Sequence, residues 1–376
     1  MKKLVYILAC MVLIGCKDSY TLPVNVPATG YLVVDGVINA GGGPTAITLS
    51  RTVRLVDSFN INHVRDASVT VEGEDNSSQV LFQTEPGRYE AAGLNLNPAV
   101  KYRLHIWQNG KEYTSAYLPV KQTPAIDSIS WDRDEKGVHL YADAKGNANT
   151  SGYYRWDFEE DWEFHSAFAP SLRYNATPLA EYIFPNQTVD MSRFVCYQSS
   201  RSTTIEILST AKIARDTTHY RFQTIPAASW KLSVLYAVNL RQYAISKEGF
   251  EYLSKMKKNT EQTGSLFDAQ PSELRGNISC VQDPSEPVIG FLEISEIHSK
   301  RRFLKASDVP GWGYVQGCSQ ESLLNNRDSI TLAGFPQPVV PELTGQRGEI
   351  LRLFYTTPDC VDCTLRGNLT KPSFWP

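Results

Sequence analysis

Four carboxylates recur at alternate positions in one short stretch, Asp157, Glu159, Asp161 and Glu163, with His165 at its edge. Side chains alternate along a strand, so this spacing puts all four on one face with Arg155, while Tyr154, Trp156, Phe158, Trp162 and Phe164 take the other. One face is then core and the other acidic. Such a row can hold a cation or a basic ligand, or divide acid and base roles as in a hydrolase, with Glu159 and Glu163 as the pair. A solvated sheet face beside a hairpin partner accounts for the same pattern, because charge runs are usually just wet.

The thiols are the second source of chemistry. Beyond Cys16 stand Cys196, Cys280, Cys318, Cys360 and Cys363, an odd number that leaves at least one free or bonded to another chain. The pair Cys360-Val-Asp-Cys363 has the spacing of a redox or zinc motif. A redox pair needs a βαβ surround that Thr364-Leu-Arg-Gly367 does not offer, and zinc needs a second close pair. Structural disulfides remain, with Cys196 and Cys318 as long-range partners of Cys360 and Cys363 and the connectivity open.

Other signatures are missing. The sequence has no Gly-x-Ser-x-Gly elbow, no His-Glu-x-x-His zinc helix and no phosphate or dinucleotide glycine loop. Its six histidines stand singly, without metal-ligand spacing, so no metal, cofactor or catalytic residue is assigned. Asp132, Asp134, Gly137 and Asp143 fit positions 1, 3, 6 and 12 of a calcium loop, but Lys136 sits at position 5, where an oxygen is needed. A hairpin between Ile126–Asp132 and Val138–Asp143 explains them better.

The elements that would carry these residues are mostly strands. From Tyr31 to Val120 about seven short apolar-alternating runs are separated by turns, including Asn109-Gly110, a strong hairpin signal. This density predicts a β-sandwich over 30–121. Gly87-Arg88-Tyr89 and Lys101-Tyr102-Arg103-Leu104 resemble transthyretin-like modules, a likeness of pattern that implies a fold and no activity. A Pro-containing linker follows, then a second β-rich region over 126–376. There the period changes once: Ser246 can cap a helix to about Gln262, with Phe250, Leu253 and Met256 as a packing stripe. The expected fold is therefore mainly β, tandem immunoglobulin-like or transthyretin-like sandwich modules with one helix in the C-terminal half.

The first residues give an address. Lys2 and Lys3, the apolar run Leu4 to Ile14, and Gly15 before Cys16 form an export signal too short to span a bilayer. Leu13-Ile14-Gly15-Cys16 resembles the bacterial lipobox, which implies a signal peptide over 1–15, an acylated Cys16 as the membrane anchor and a tether over 16–29. Losing residues 1–15 strips two lysines and moves the formal charge from −3 to −5. A mildly acidic chain argues against nucleic acid as a partner. Lys300, Arg301, Arg302 and Lys305 form a short basic cluster that a strand end with snorkelling side chains explains as well as an acidic partner does.

Several segments carry a wider resemblance: Gly30–Gly36, Tyr154-Arg155-Trp156, Ser265-Leu266-Phe267-Asp268, Arg275-Gly276-Asn277-Ile278, Val288-Ile289-Gly290-Phe291 with Lys300-Arg301-Arg302-Phe303, and Cys360-Val-Asp-Cys-Thr-Leu-Arg-Gly367 ending at Phe374-Trp375. Together they are similar to a domain-of-unknown-function family of Bacteroidetes outer-membrane lipoproteins often encoded beside TonB-dependent receptors. Cys280 and Pro372-Ser373, just before Phe374, depart from that pattern. The resemblance implies a lipid-anchored outer-membrane protein facing the cell exterior, a binding or accessory subunit of a TonB-dependent uptake complex, and no catalytic residues. A surface hydrolase using 157–163 and an adhesive or scaffolding lipoprotein are the alternatives.

Overall fold

The computed structural model describes residues 30–53, 61–146, 152–212, 217–261 and 274–376; Cys16, the signal segment and the tether 16–29 lie outside the described residues. The first unit is one continuous sheet that wraps about its own core. Strand Ser78–Glu85 pairs with Ser68–Gly73 on one side and Arg88–Ala91 on the other, joining two halves whose apolar faces meet. Leu32, Ile47, Leu49 and Tyr89 come from one half, and Val69, Leu104, Ile106 and Tyr113 from the other. The expected hairpin forms, with Asn109 and Gly110 both at positive φ between paired Gln108 and Lys111.

Three later strands complete this sheet. Ile278–Cys280 adds to Lys111–Ser115, while Val288–Ile289 and Ile294–Ser295 run parallel to Leu32–Asn39. The sequence suggests one strand from Val288 to Ile297, but the chain is interrupted between those two short pieces. Gly290 lies there at φ 141°, so close to the first strand that a Cβ would stand 2.1 Å from the Val34 carbonyl oxygen. Only glycine permits that conformation together with that approach.

The second unit is a two-layer sandwich. Its larger sheet has the order Val195–Arg201, Tyr153–His165, Leu235–Ala244 and His298–Lys305, with Glu206–Ser209 pairing the start of the long strand. Its smaller sheet is Ile126–Asp134, Gly137–Lys145 and Thr217–Pro226, so the Asp132–Asp143 region is the expected hairpin. Trp156 stacks on Tyr220 at 4.6 Å and Phe158 meets Phe222 edge-on at 5.3 Å across the layers. Each such ring buries roughly 150–250 Å², worth on the order of 4–6 kcal/mol of transfer free energy before ordering costs. The Trp156 indole N–H donates to Gln242 at 2.7 Å, and Gln242 in turn donates to the Pro124 carbonyl at 2.8 Å. No polar edge of that ring is wasted.

The helix Lys247–Glu261 packs Tyr252 and Leu253, with Phe250 and Met256, against Tyr243 and Ile245. Its stripe is a packing face. Ser246 Oγ accepts the Gly249 N–H at 2.9 Å and donates to buried Glu293, whose carboxyl is pushed above its ordinary range by burial. A second, six-residue helix, Arg327–Leu332, sits beside a small sheet of Glu321–Leu324, Ile350–Thr356 and Gln337–Thr344. It is too short for a 3.6-residue period to show in the sequence.

Two disulfides fasten the C-terminal segment: Cys196 to Cys363, across 167 residues, and Cys318 to Cys360, across 42. Cys280 is buried and free.

Candidate functional site

The acidic strand is where the two units meet. Tyr153–His165 alternates as its sequence implies, and its charged face is half-buried throughout. Register decides what each carboxylate finds. Asp157 lies opposite Arg241 and accepts from its guanidinium and from the Tyr243 hydroxyl. Glu159 lies opposite Arg201 and pairs with it at 3.2 Å. Asp161 accepts from Ser199 at 2.5 Å, and Glu163 accepts from the Trp375 indole at 3.0 Å and meets His165 at 3.1 Å. All four therefore have partners.

The upper part of this face, around Asp157 and Glu159, is roofed by the first unit. A polar cleft of about 180 Å³ lies between them, where Asp35, Arg88 and Glu90 face Arg155, Arg201 and Arg241. Charge is balanced across it. The Arg155 guanidinium lies 5.5 Å from the Tyr243 ring centre. Burial, partly offset by Arg155, pushes the Tyr243 hydroxyl far above the usual tyrosine range, so it stays a donor to Asp157. The lower part is closed by the C-terminal tail, where Trp375 packs on Tyr197 and Phe303 at 5.7 and 5.8 Å.

One carboxylate escaped the sequence reading. Glu160 points from the apolar face into the sandwich and is only 3% exposed. It accepts from Tyr236 at 2.7 Å, Gln223 at 2.8 Å and Lys231 at 2.6 Å. Burial, with the Glu160 charge beside it, pushes the Tyr236 hydroxyl well above its ordinary range and keeps it protonated. The signal was available: an acid at an even position among Trp156, Phe158, Trp162 and Phe164 must be buried by parity.

The remaining clusters are structural. Cys318, Asp359 and Cys360 offer atoms within metal-binding range of one another, but both sulfurs belong to the disulfide and carry no thiolate. Lys300 reaches the Ile126 and Asp127 carbonyls at 3.3 and 2.6 Å, and Arg301 stacks 3.5 Å over Phe374, so half of the basic cluster holds neighbouring segments.

The family described as domain of unknown function (DUF4249) matches residues 17–301, and the chain belongs to it. The match takes in both layers of the acidic seam and stops before the Cys360–Trp375 block. No curated protein matches the chain.

Proposed function

We propose that this protein is an outer-membrane lipoprotein, held by acyl chains on Cys16 with its body toward the cell exterior, and that it serves as a non-catalytic binding or accessory subunit of a TonB-dependent uptake complex. The lipobox-like Leu13-Ile14-Gly15-Cys16 supports the anchor. What carries the non-catalytic part is the pairing of the acidic row: Asp157, Glu159, Asp161 and Glu163 each already have a hydrogen-bond or ion-pair partner on a neighbouring strand or on the C-terminal tail. An acid–base pair needs carboxyls free to exchange protons with a substrate. These four are spent on rigidity, which suits a body that presents a surface.

Expression of the full chain in its host, followed by membrane partitioning and affinity capture in mild detergent, tests this reading. The wild type is expected in the outer membrane with a TonB-dependent receptor co-purifying. Cys16→Ser is expected to release the protein to the soluble fraction, and unchanged partitioning of that variant would overturn the anchor.

A further inference from the structure

A second concavity, a groove of about 560 Å³, opens beside the disulfides and is lined by Trp230, Tyr314, Val315, Gln316, Asp359 and Arg366. Trp230 begins a short 3-10 turn and stands edge-on to Phe164 and Trp162 at 4.8 and 5.4 Å. Arg366 follows the turn Cys363–Leu365, which the bond to Cys196 fixes on the larger sheet. The next residue is Gly367, where a Cβ would fall 2.6 Å from the Tyr197 carbonyl oxygen and 2.8 Å from the Phe164 ring. Glycine there lets the chain come close enough for the Arg366 guanidinium to lie 5.2 Å from the Phe164 ring centre and 5.7 Å from that of Trp230.

That guanidinium is unlike those at the seam. Its Nε and Nη2 are buried and have no hydrogen-bond acceptor among the described residues, and neither has the buried Nε2 of Gln316 on the same groove. Buried donors without acceptors are costly, and more so when charged. The guanidinium is planar by resonance, and the two rings beside it set the direction of a fork matched to an oxyanion.

We propose that this groove binds a small monocarboxylate bearing an aromatic or apolar group, the carboxylate accepting from Arg366 and Gln316 and the apolar part lying against Trp230 and Tyr314. One cation with exposed Asp359 on the same groove suits a single negative charge and disfavours a phosphate dianion. Binding at the buried nitrogens then requires the irregular segment 313–317, which lines the groove, to swing outward. That segment is held at one end by Arg133 bonds to the Pro310 and Gly311 carbonyls and at the other by the Cys318–Cys360 bridge. The inference gives the binding role proposed above a ligand class but does not depend on the anchor or the receptor, whose failure would leave it standing.

Calorimetric titration of the full chain in mild detergent with N-acetylphenylalanine, its primary amide and inorganic phosphate tests it. The carboxylate is expected to bind saturably at one site, and Arg366→Gln to weaken it roughly tenfold or more. Val315 is 83% exposed, so Val315→Asp leaves folding intact and is expected to weaken binding roughly threefold by repulsion. Absence of saturable binding to the wild type, equal binding of the amide or of phosphate, or unchanged affinity in either variant would overturn the proposal.

Discussion

The seam and the groove both bring arginine to an aromatic surface, yet they end in opposite states. At the seam Arg241 and Arg201 lie directly across from Asp157 and Glu159, and charge is matched pair by pair. In the groove Arg366 lies on Phe164 and Trp230 with two buried nitrogens lacking an acceptor among the described residues. The density of charge along the chain therefore marks the place where the protein holds itself together. An arginine with two buried donors left over, inconspicuous in the sequence, marks the place with capacity left for a ligand.

The strongest way to break this comparison is to cut what frames the groove while leaving the seam intact. Replacing Cys196 and Cys363 together with serine is expected to cost about 4–5 kcal/mol, as the chain-entropy account gives for closing so long a loop, read as a lowered denaturation midpoint of the full chain. A loss below about 1 kcal/mol would mean that the sheet positions Arg366 without the bridge.

Next in size comes the buried acid behind the seam. Glu160→Ala strands the Tyr236 hydroxyl and leaves Lys231 unpaired, and about 3 kcal/mol is expected in chemical denaturation. A nearly neutral result would show that the interior tolerates those donors, and the contrast with Arg366 would lose its force.

The smallest effect belongs to the seam's outer edge. Arg201 is 69% exposed at its side chain, so Arg201→Gln is expected to cost less than about 1 kcal/mol, shrinking further in high salt. A larger, salt-insensitive loss would show that the 201–159 pair is buried by contact with the first unit in solution.

Much of the scaffold was legible because its rules are local. The alternation of Tyr153–His165, the turn at Asn109-Gly110 and the Ser246 cap depend on residues two to four positions apart, and each formed within a residue or two of its expected bounds. Glu160 was missed although the same parity rule required its burial. The three strands between Ile278 and Ser295 were harder, since nothing near them says that they return to a sheet begun more than 160 residues earlier.

From its own letters the chain determined which faces are apolar, where it turns, and that four cysteines suit disulfides. Folding alone decided that Cys363 meets Cys196 and Cys360 meets Cys318, that Asp157 finds Arg241, and that two buried nitrogens of Arg366 find no acceptor among the described residues. The reason is geometric: side-chain direction follows from backbone stereochemistry within a few residues. Partnership across 42 or 167 positions follows from strand register and loop closure, which only the packed molecule fixes.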